Sequence, residues 1–366
     1  MTSILPDPRR YPRVNPANDL IRQTMGLLTE REAGLALTRA EALKDTLRAL
    51  FEADDHVAWQ EALDQVPSQE VYKALWQAGL DVVAQPVGTI RHAVIFALPV
   101  ILVAGCKTQA HLPAQLADVQ ALTQLLQAQG VIADGAECQL SGKLIHPNAL
   151  AALTFPQLFR FTRNLVDAGR GLPVALEGDP VPAKDDGVFL RFVVGVAMHN
   201  GDANPPIRLG GTTGAWGMAA MKLFSEQLKT PNVTLFPIPR APMLLPEALR
   251  QGQLARKEVD LQCFSSNMIR KLREHSVPIT AIACAHDNNE LRFTISTPKD
   301  DKNWLAHVWP LAPLDSVERI AEGFSGLMAE CQIEDTRLVE AVQPDQENGI
   351  PYFVTVDDAQ FSAVRH

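Results

Sequence analysis

The residues best suited to chemistry form a polar loop and a glycine cluster between two apolar segments, Val188–Met198 and Trp216–Leu228. Glycine lets a backbone approach a ligand with its N–H groups exposed, and the helix predicted to follow carries partial positive charge at its N-terminus. This combination favours the binding of a phosphate or a carboxylate. The candidate ligand-binding residues are His199, Asp202, Arg208, Gly210, Gly211, Thr212, Thr213 and Gly214.

Two interpretations of this stretch stay open. In the first, His199 and Asp202 supply a general base and the group that orients it, because both follow directly on a predicted strand. In the second, the loop is an ordinary turn whose Asn and Asp side chains bond their own backbone, and the glycines allow close packing around Trp216. No catalytic residue is assigned on this basis, and the cofactor is left open.

The nucleotide-binding motifs with a fixed glycine spacing do not describe the cluster. No Lys-Ser/Thr pair follows Gly217, and the spacing is not G-x-G-x-x-G, so neither a P-loop nor a dinucleotide site is predicted. The cluster resembles the glycine signature of the tubulin/FtsZ family over one short segment. Thr212 stands in place of the third glycine and Trp216 in place of the last, and we find no companion motif of that family elsewhere in the chain, so membership is not inferred. The matching residues are Gly210, Gly211, Thr213 and Gly214.

Three further histidines are isolated. They are His111, His286 (beside Asp287) and His307, and none has the spacing of a metal-binding pair such as H-x-x-x-H. No metal site is therefore expected. If the two α/β parts of the chain are duplicates, His111 is the counterpart of the His199 loop. The two loops could then share a ligand where the strand order of the sheet reverses.

Strands and helices are predicted to alternate around this stretch. Ile90–Gly105 is apolar on both faces, as expected of a central strand, and Leu116–Gln129 has the periodicity of a helix. Val188–Met198 then repeats the strand pattern. The alternation predicts an α/β fold with a largely parallel sheet and helices on both of its faces.

The order of elements in residues 89–176 recurs in residues 188–284. Short proline-containing segments also match at corresponding places, such as Gly171–Ala175 and Ser276–Thr280. This recurrence predicts that two pseudo-duplicated β-α-β-α-β units build the sheet. The alternative is that any two α/β blocks resemble each other at this level of detail.

The flanking regions have different patterns. Asn18–Gln85 is helical, and the capping-box signature Thr29–Glu32 predicts that a helix begins there. Near the other end, Leu291–Ser296 and Leu305–Leu311 are predicted to be paired strands. The predicted divisions are 1–16 as an extended arm, 17–87 as a helical N-terminal subdomain, 88–186 as a first α/β block, 187–345 as a second α/β block with a C-terminal α+β appendage, and 346–366 as a C-terminal strand or tail.

The composition excludes some classes of protein. A net charge of −9 argues against general nucleic-acid binding, which relies on Lys and Arg.

The apolar run Val94–Cys106 ends in a lipobox-like sequence, but it lies far from the N-terminus and is too short to span a bilayer. It is predicted to be a buried strand, without lipid or membrane insertion. The 5 cysteines form no C-x-x-C pair and indicate a reducing, cytoplasmic setting.

Two classes of function remain. The first is a non-enzymatic cytoplasmic component of a protein assembly, with a protein partner or a second copy of the chain as its contact. It is favoured by the amphipathic N-terminal region and the proline-rich connecting segments. The second is an enzyme or a nucleotide- or anion-dependent protein whose site lies on the loop from His199 to Gly217. The sequence favours the first class slightly.

Overall fold

The chain divides into two compact units, Met1–Arg256 and Lys257–His366. Within the residues that the structure describes, no helix has both the length and the apolar character needed to cross a membrane. The structure is a computed structural model, and it describes residues 15–84, 91–104, 114–168, 187–200, 205–229, 233–235, 240–274, 278–286, 289–297, 306–339, 352–357 and 360–364.

The first unit begins with four helices and continues with a sheet and its covering helices. Its elements are α1 (Pro16–Thr29), α2 (Ala33–Glu52), α3 (His56–Gln65), α4 (Gln69–Ala84), β1 (Arg91–Ala104), α5 (Val119–Ala128), β2 (Glu137–Leu140), α6 (Pro147–Ala151), α7 (Phe155–Ala168), β3 (Val188–Asn200), α8 (Gly214–Gln227), β4 (Val233–Leu235) and β5 (Met243–Leu244). The long helix α9 (Leu245–Arg273) contains the division between the units.

Side-chain caps fix where several of these helices begin. Asn15 accepts a hydrogen bond from the Ala17 N–H at 2.8 Å, with Pro16 at the first helical position, which satisfies a donor that the helix cannot pair itself. Helix α5 begins in the same way at Asp118. The predicted capping box is wrong, however: Thr29 ends α1, and its hydroxyl donates to the Met25 carbonyl at 2.9 Å.

The helical N-terminal pattern is confirmed by α1 to α4, which occupy most of residues 16–84. On α2 the apolar stripe is buried from Leu43 onward, through Leu47 and Leu50. Phe51 at its end meets Trp59 of α3, with ring centroids 5.5 Å apart and nearly perpendicular. The helices therefore pack around an aromatic cluster, in the same compact unit as the sheet.

The sheet of the first unit is entirely antiparallel, with strand order β2-β3-β1-β4 and β5 paired to β1. Strands β1 and β3 are paired along almost their whole length, from Arg91↔Asn200 to Val103↔Val188. The prediction of a largely parallel sheet is thus wrong. The prediction that Val94–Cys106 enters a buried strand is confirmed, because β1 extends to Ala104 and its residues are buried from Val94 to Leu102, and Cys106 lies outside the described residues.

Both faces of β1 are buried, which explains why its sequence has the appearance of a parallel strand. Val94, Phe96 and Leu98 lie on one face, in a core shared with residues of α5 and α8. The alternate residues Ile95 and Ala97 are also buried, and α7 packs against the strand. A strand that is covered on both faces needs apolar residues at every position, whether its neighbours are parallel or antiparallel. The neighbours of β1 are antiparallel.

The second unit contains a mixed sheet. Its elements are β6 (Thr280–His286), β7 (Glu290–Ser296), β8 (Ala306–Pro310), α10 (Val317–Glu330), β9 (Asp335–Val339), β10 (Tyr352–Asp357) and β11 (Gln360–Val364). The order is β8-β7-β6-β9, where only β6 and β9 are parallel, and β10 and β11 form a separate antiparallel pair. The predicted pairing of Leu291–Ser296 with Leu305–Leu311 is confirmed by β7 and β8.

The predicted duplication is wrong. Strands β1 and β3, which open the two supposed halves, pair antiparallel and not parallel as predicted. Strand β6, which should have completed the second half, belongs to the mixed sheet of the other unit. The repeated element order reflects the common alternation of strands and helices and not an internal repeat.

Candidate functional site

The predicted polar loop begins later than expected, because strand β3 extends to Asn200. His199 is therefore a strand residue, half-buried and directly opposite His92 on β1. Asp202, the predicted orienting carboxylate, lies outside the described residues. The geometry of a base and its orienter at this loop stays a prediction.

The chain after the loop is fixed by backbone hydrogen bonds to residues 131–133. The Ala133 N–H donates to the Pro206 carbonyl at 3.0 Å, and the Arg208 N–H donates to the Val131 carbonyl at 2.8 Å. Ile207 between them is fully buried and forms an isolated bridge with Ile132. The Arg208 side chain is exposed, so its guanidinium is accessible to a ligand from solvent.

Gly210 and Gly211 form the turn, with φ of 69° and 83°. These values lie in the left-handed region, which costs glycine little and a β-branched residue a great deal. A Cβ atom built on either residue would have no neighbour within 4 Å. The glycines are therefore required by the backbone conformation of an open turn, and not by the close helix–strand packing that was one of the two interpretations.

Helix α8 begins at Gly214, and its N-terminus is only partly satisfied. Thr213 occupies the N-cap position but makes no side-chain capping hydrogen bond. Its carbonyl accepts hydrogen bonds from the N–H groups of Trp216 at 3.1 Å and Gly217 at 2.5 Å. Gly211, Thr212 and Gly214 are exposed and Thr213 is half-buried. The positive end of the helix thus faces solvent at the glycine turn.

Trp216 has the structural role that was the alternative to ligand binding. Its side chain is only 2% exposed and lies in the core cluster with Ala220, Phe224 and Leu228 of the same helix. The indole anchors α8 to the sheet, one turn from the exposed glycines. The stretch therefore combines an anchored helix with an open turn.

Arg208 and His199 lie beside opposite ends of the short segment formed by residues 131–135. The Arg208 backbone bonds Val131, whereas the His199 Nε2 lies 3.9 Å from the position that a Cβ on Gly135 would occupy. The Gly210 N–H is already used, since it donates to the Pro242 carbonyl at 2.8 Å. An anion at the glycine turn would consequently be held by the later N–H groups and by Arg208.

The sequence did not indicate which residue lies opposite His199 in the sheet. His92 lies on the neighbouring strand at the same register position, so the two imidazoles share one face of the sheet. Cys138 of β2 lies on this face too, opposite Ala197, and burial raises the pKa of its thiol to about 12. Among the described residues, no group of three or more His, Cys, Asp or Glu side chains is arranged to hold a metal ion.

The remaining predicted histidines are dispersed. His111 and Asp287 lie outside the described residues, and His286 is the last residue of β6. His307 lies on β8, with its ring centroid 5.6 Å from that of Phe264. Burial lowers the pKa of His307, and the charge of Asp260 opposes part of that shift.

A different surface feature lies at the junction of α1 and α2. Leu28 at the end of α1 is 38% exposed, and Leu35 and Leu37 at the start of α2 are 47% and 71% exposed. Arg39 and Glu30 form an ion pair of 3.0 Å beside them. We call residues 28–37 the leucine junction.

No family model, curated protein or solved structure matches the chain.

Proposed function

We propose that the chain is a non-enzymatic cytoplasmic component of a protein assembly, and that the leucine junction is part of its contact surface. The observation that carries this proposal is the exposure of Leu35 and Leu37 at the start of α2. The same helix buries Leu43 and Leu47 further along, so its first turns extend beyond the core that supports the rest. A partner surface would cover what the chain itself leaves open.

The energetics favour such a contact. Burying a leucine side chain fully is worth roughly 1.5–3 kcal/mol, and a set of exposed apolar side chains rimmed by charges is typical of a contact surface. The Glu30–Arg39 ion pair supplies such a rim. The partner is a protein with a matching apolar groove, and a second copy of the chain is included in this proposal.

The test places a photo-crosslinking residue at Leu37 and, in a matched control, at Val57. Val57 lies on α3 and is 54% exposed, so both positions are accessible in the free chain. We expect crosslinks from position 37 to a partner chain or a second copy, and none from position 57. Leu35→Asp combined with Leu37→Asp should abolish the association, as measured by analytical ultracentrifugation and by recovery of the crosslinked partner.

Two outcomes would contradict the proposal. One is a full-length chain that stays monomeric and crosslinks to nothing from position 37 in its native extract. The other is an association that the double leucine variant and Val57→Asp weaken equally. Circular dichroism of each variant separates loss of association from loss of folding, since the substituted side chains are exposed.

Anion binding at the glycine turn is the second candidate. It is favoured by the positive φ of Gly211 and by the exposed, uncapped start of α8. Two or three charge-assisted hydrogen bonds of about 1.5–3 kcal/mol each would hold a phosphate there. A ligand at 100 times its Kd would add about 2.7 kcal/mol of stability.

A thermal-shift series with inorganic phosphate and nucleotides tests this second candidate. Gly211→Val should abolish the shift, and Arg208→Ala should weaken it while leaving the fold intact. Gly187→Val is the matched control, because Gly187 also has a positive φ, 97°, and open space at its Cβ but lies outside the turn. A shift that survives Gly211→Val, or no shift with any anion, would exclude the turn as an anion site.

A further inference from the structure

We propose that His92 and His199 form a two-imidazole site for a borderline divalent transition ion, of which Zn²⁺ and Ni²⁺ are the representatives. The two residues are directly opposite each other in the antiparallel pair of β1 and β3. Side chains at opposite positions share one face, with Cβ atoms about 4.5–5.5 Å apart. Two imidazole rings at that separation can direct a nitrogen each to one common point.

The second observation is an unpaired nitrogen. Nδ1 of His199 is buried, and within the described residues it has no hydrogen-bond partner. A buried polar atom without a partner costs about 1–3 kcal/mol, and such an atom in a native fold calls for an ion or a water. Coordination by an ion would satisfy this nitrogen, because the neutral imidazole offers a lone pair to a metal.

The pair lies near the end of the described part of β1 and β3. Both histidines are half-buried and lie at the end of the sheet, one residue from the last described pair, Arg91↔Asn200. Gly135, with φ of 75°, lies beside the other ring nitrogen of His199, and a Cβ on it would be 3.9 Å from Nε2, an ordinary contact distance.

The chemistry selects the class of ion. Imidazole nitrogen suits Zn²⁺, Ni²⁺ and Cu²⁺, whereas Mg²⁺ and Ca²⁺ prefer oxygen ligands. Since no group of three or more ligating side chains occurs among the described residues, water completes the coordination shell in this proposal. Cys138 lies on the same face but opposite Ala197, not opposite either histidine, so it is not included in the pair.

The experiment is isothermal titration of the full-length chain with ZnCl₂, NiCl₂ and MgCl₂. We expect one Zn²⁺ or Ni²⁺ per chain and no heat with Mg²⁺. His92→Gln and His199→Gln should each weaken binding at least tenfold. His56→Gln, at the exposed start of α3, and Cys138→Ser should leave the affinity unchanged. Electron paramagnetic resonance with Cu²⁺ as the probe should show coupling to two imidazole nitrogens, and to one in each histidine variant.

Three results would overturn the proposal. They are the absence of binding up to roughly 1 mM metal, equal affinity in the parent chain and in both histidine variants, and loss of binding in Cys138→Ser. The last would indicate a thiolate site instead of an imidazole pair. If His199→Gln does not fold, His92→Gln still tests the proposal. Of the two histidines, His199 is the one with the unpaired buried nitrogen, so substitution of His92 leaves that nitrogen in place.

Discussion

The indole Nε1 of Trp76 on α4 lies 3.4 Å from Oε2 of Glu247 on α9, across a sequence separation of 171 residues. The same carboxylate accepts two hydrogen bonds from Arg250, at 2.6 and 3.0 Å, and one from Gln251 at 3.0 Å. Trp76 in turn contacts Phe155 with ring centroids 5.0 Å apart. One carboxylate thus joins the N-terminal helices to the start of α9, within the first unit.

We expect Glu247→Gln to destabilise the first unit by about 1.5–3 kcal/mol at pH 7, the range for hydrogen bonds to a charged group. Burial raises the pKa of Glu247, but the hydrogen bonds and charge of Arg250, with Gln251 and Trp76, outweigh it and lower the pKa overall. A lowered folded pKa contributes stability that is fully present above the unfolded pKa of a glutamate, roughly 4.3, and is lost as the pH falls below it through the folded pKa.

Urea denaturation of both proteins at pH 7 and at pH 3.5 measures this effect. The difference between Glu247→Gln and the parent chain should shrink at the lower pH, because that pH lies below the unfolded pKa of a glutamate, roughly 4.3. Glu61→Gln, at an exposed position of α3, is the control and should change little at either pH. An equal difference at both pH values would show that the charge of Glu247 does not contribute.

Gly195 lies in the paired region of β3, opposite Phe96 of β1 and Leu140 of β2. A Cβ atom at this position would lie 2.5 Å from Leu140 Cδ2 and 2.6 Å from Phe96 Cζ. We therefore expect Gly195→Ala to destabilise the chain by about 1–3 kcal/mol through overpacking. Gly34→Ala in α2, where the nearest atom would be 4.0 Å away, should stabilise it by up to about 1 kcal/mol. Chemical denaturation of both variants checks the contrast, and equal effects would contradict it.

Most strands and helices could be predicted from the sequence, whereas the direction of the strands could not. Leu116–Gln129 was expected to be helical and contains α5 (Val119–Ala128), and Val188–Met198 was expected to be a strand and lies within β3. Apolar periodicity reports which residues are buried. Strand direction depends instead on the path of the connecting chain, and the long segment between β1 and β3 returns to the sheet antiparallel to β1.

The candidate site was predictable in part, for the same reason. The glycine turn was located correctly, because Gly210 and Gly211 adopt a backbone conformation that other residues avoid. The pairing of His199 with His92 had no signal in the sequence, because it depends on the register of two strands far apart in the chain. Only the sheet brings these two residues together.

Trp216→Ala should destabilise the first unit by about 3–5 kcal/mol, because it removes a buried indole and leaves a cavity between α8 and the sheet. Met218→Ala is the matched control on the same helix. Met218 is 57% exposed, so its truncation should change stability by less than about 0.5 kcal/mol. Thermal and urea denaturation measure both variants, and a tryptophan variant as stable as the methionine variant would contradict the anchoring role.

His307 of the second unit gives a stability that depends on pH in a predictable direction. Burial lowers the pKa of its imidazole, and the charge of Asp260 only partly opposes that effect. A histidine whose folded pKa is lowered binds fewer protons in the folded than in the unfolded chain. Its neutral form therefore stabilises the fold fully above the unfolded pKa of roughly 6.5, and this stability is lost as the pH falls below that value.

Two measurements check this expectation for His307. A nuclear magnetic resonance titration of the His307 ring should give a midpoint below roughly 6.5, the ordinary value for histidine. The unfolding free energy should fall between pH 7.5 and pH 5.5, and His307→Gln should reduce that fall because Gln does not titrate. His56→Gln should preserve it. A His307 midpoint at or above the ordinary value of roughly 6.5 would mean that Asp260 outweighs burial, and the stability of the parent chain would then increase on mild acidification.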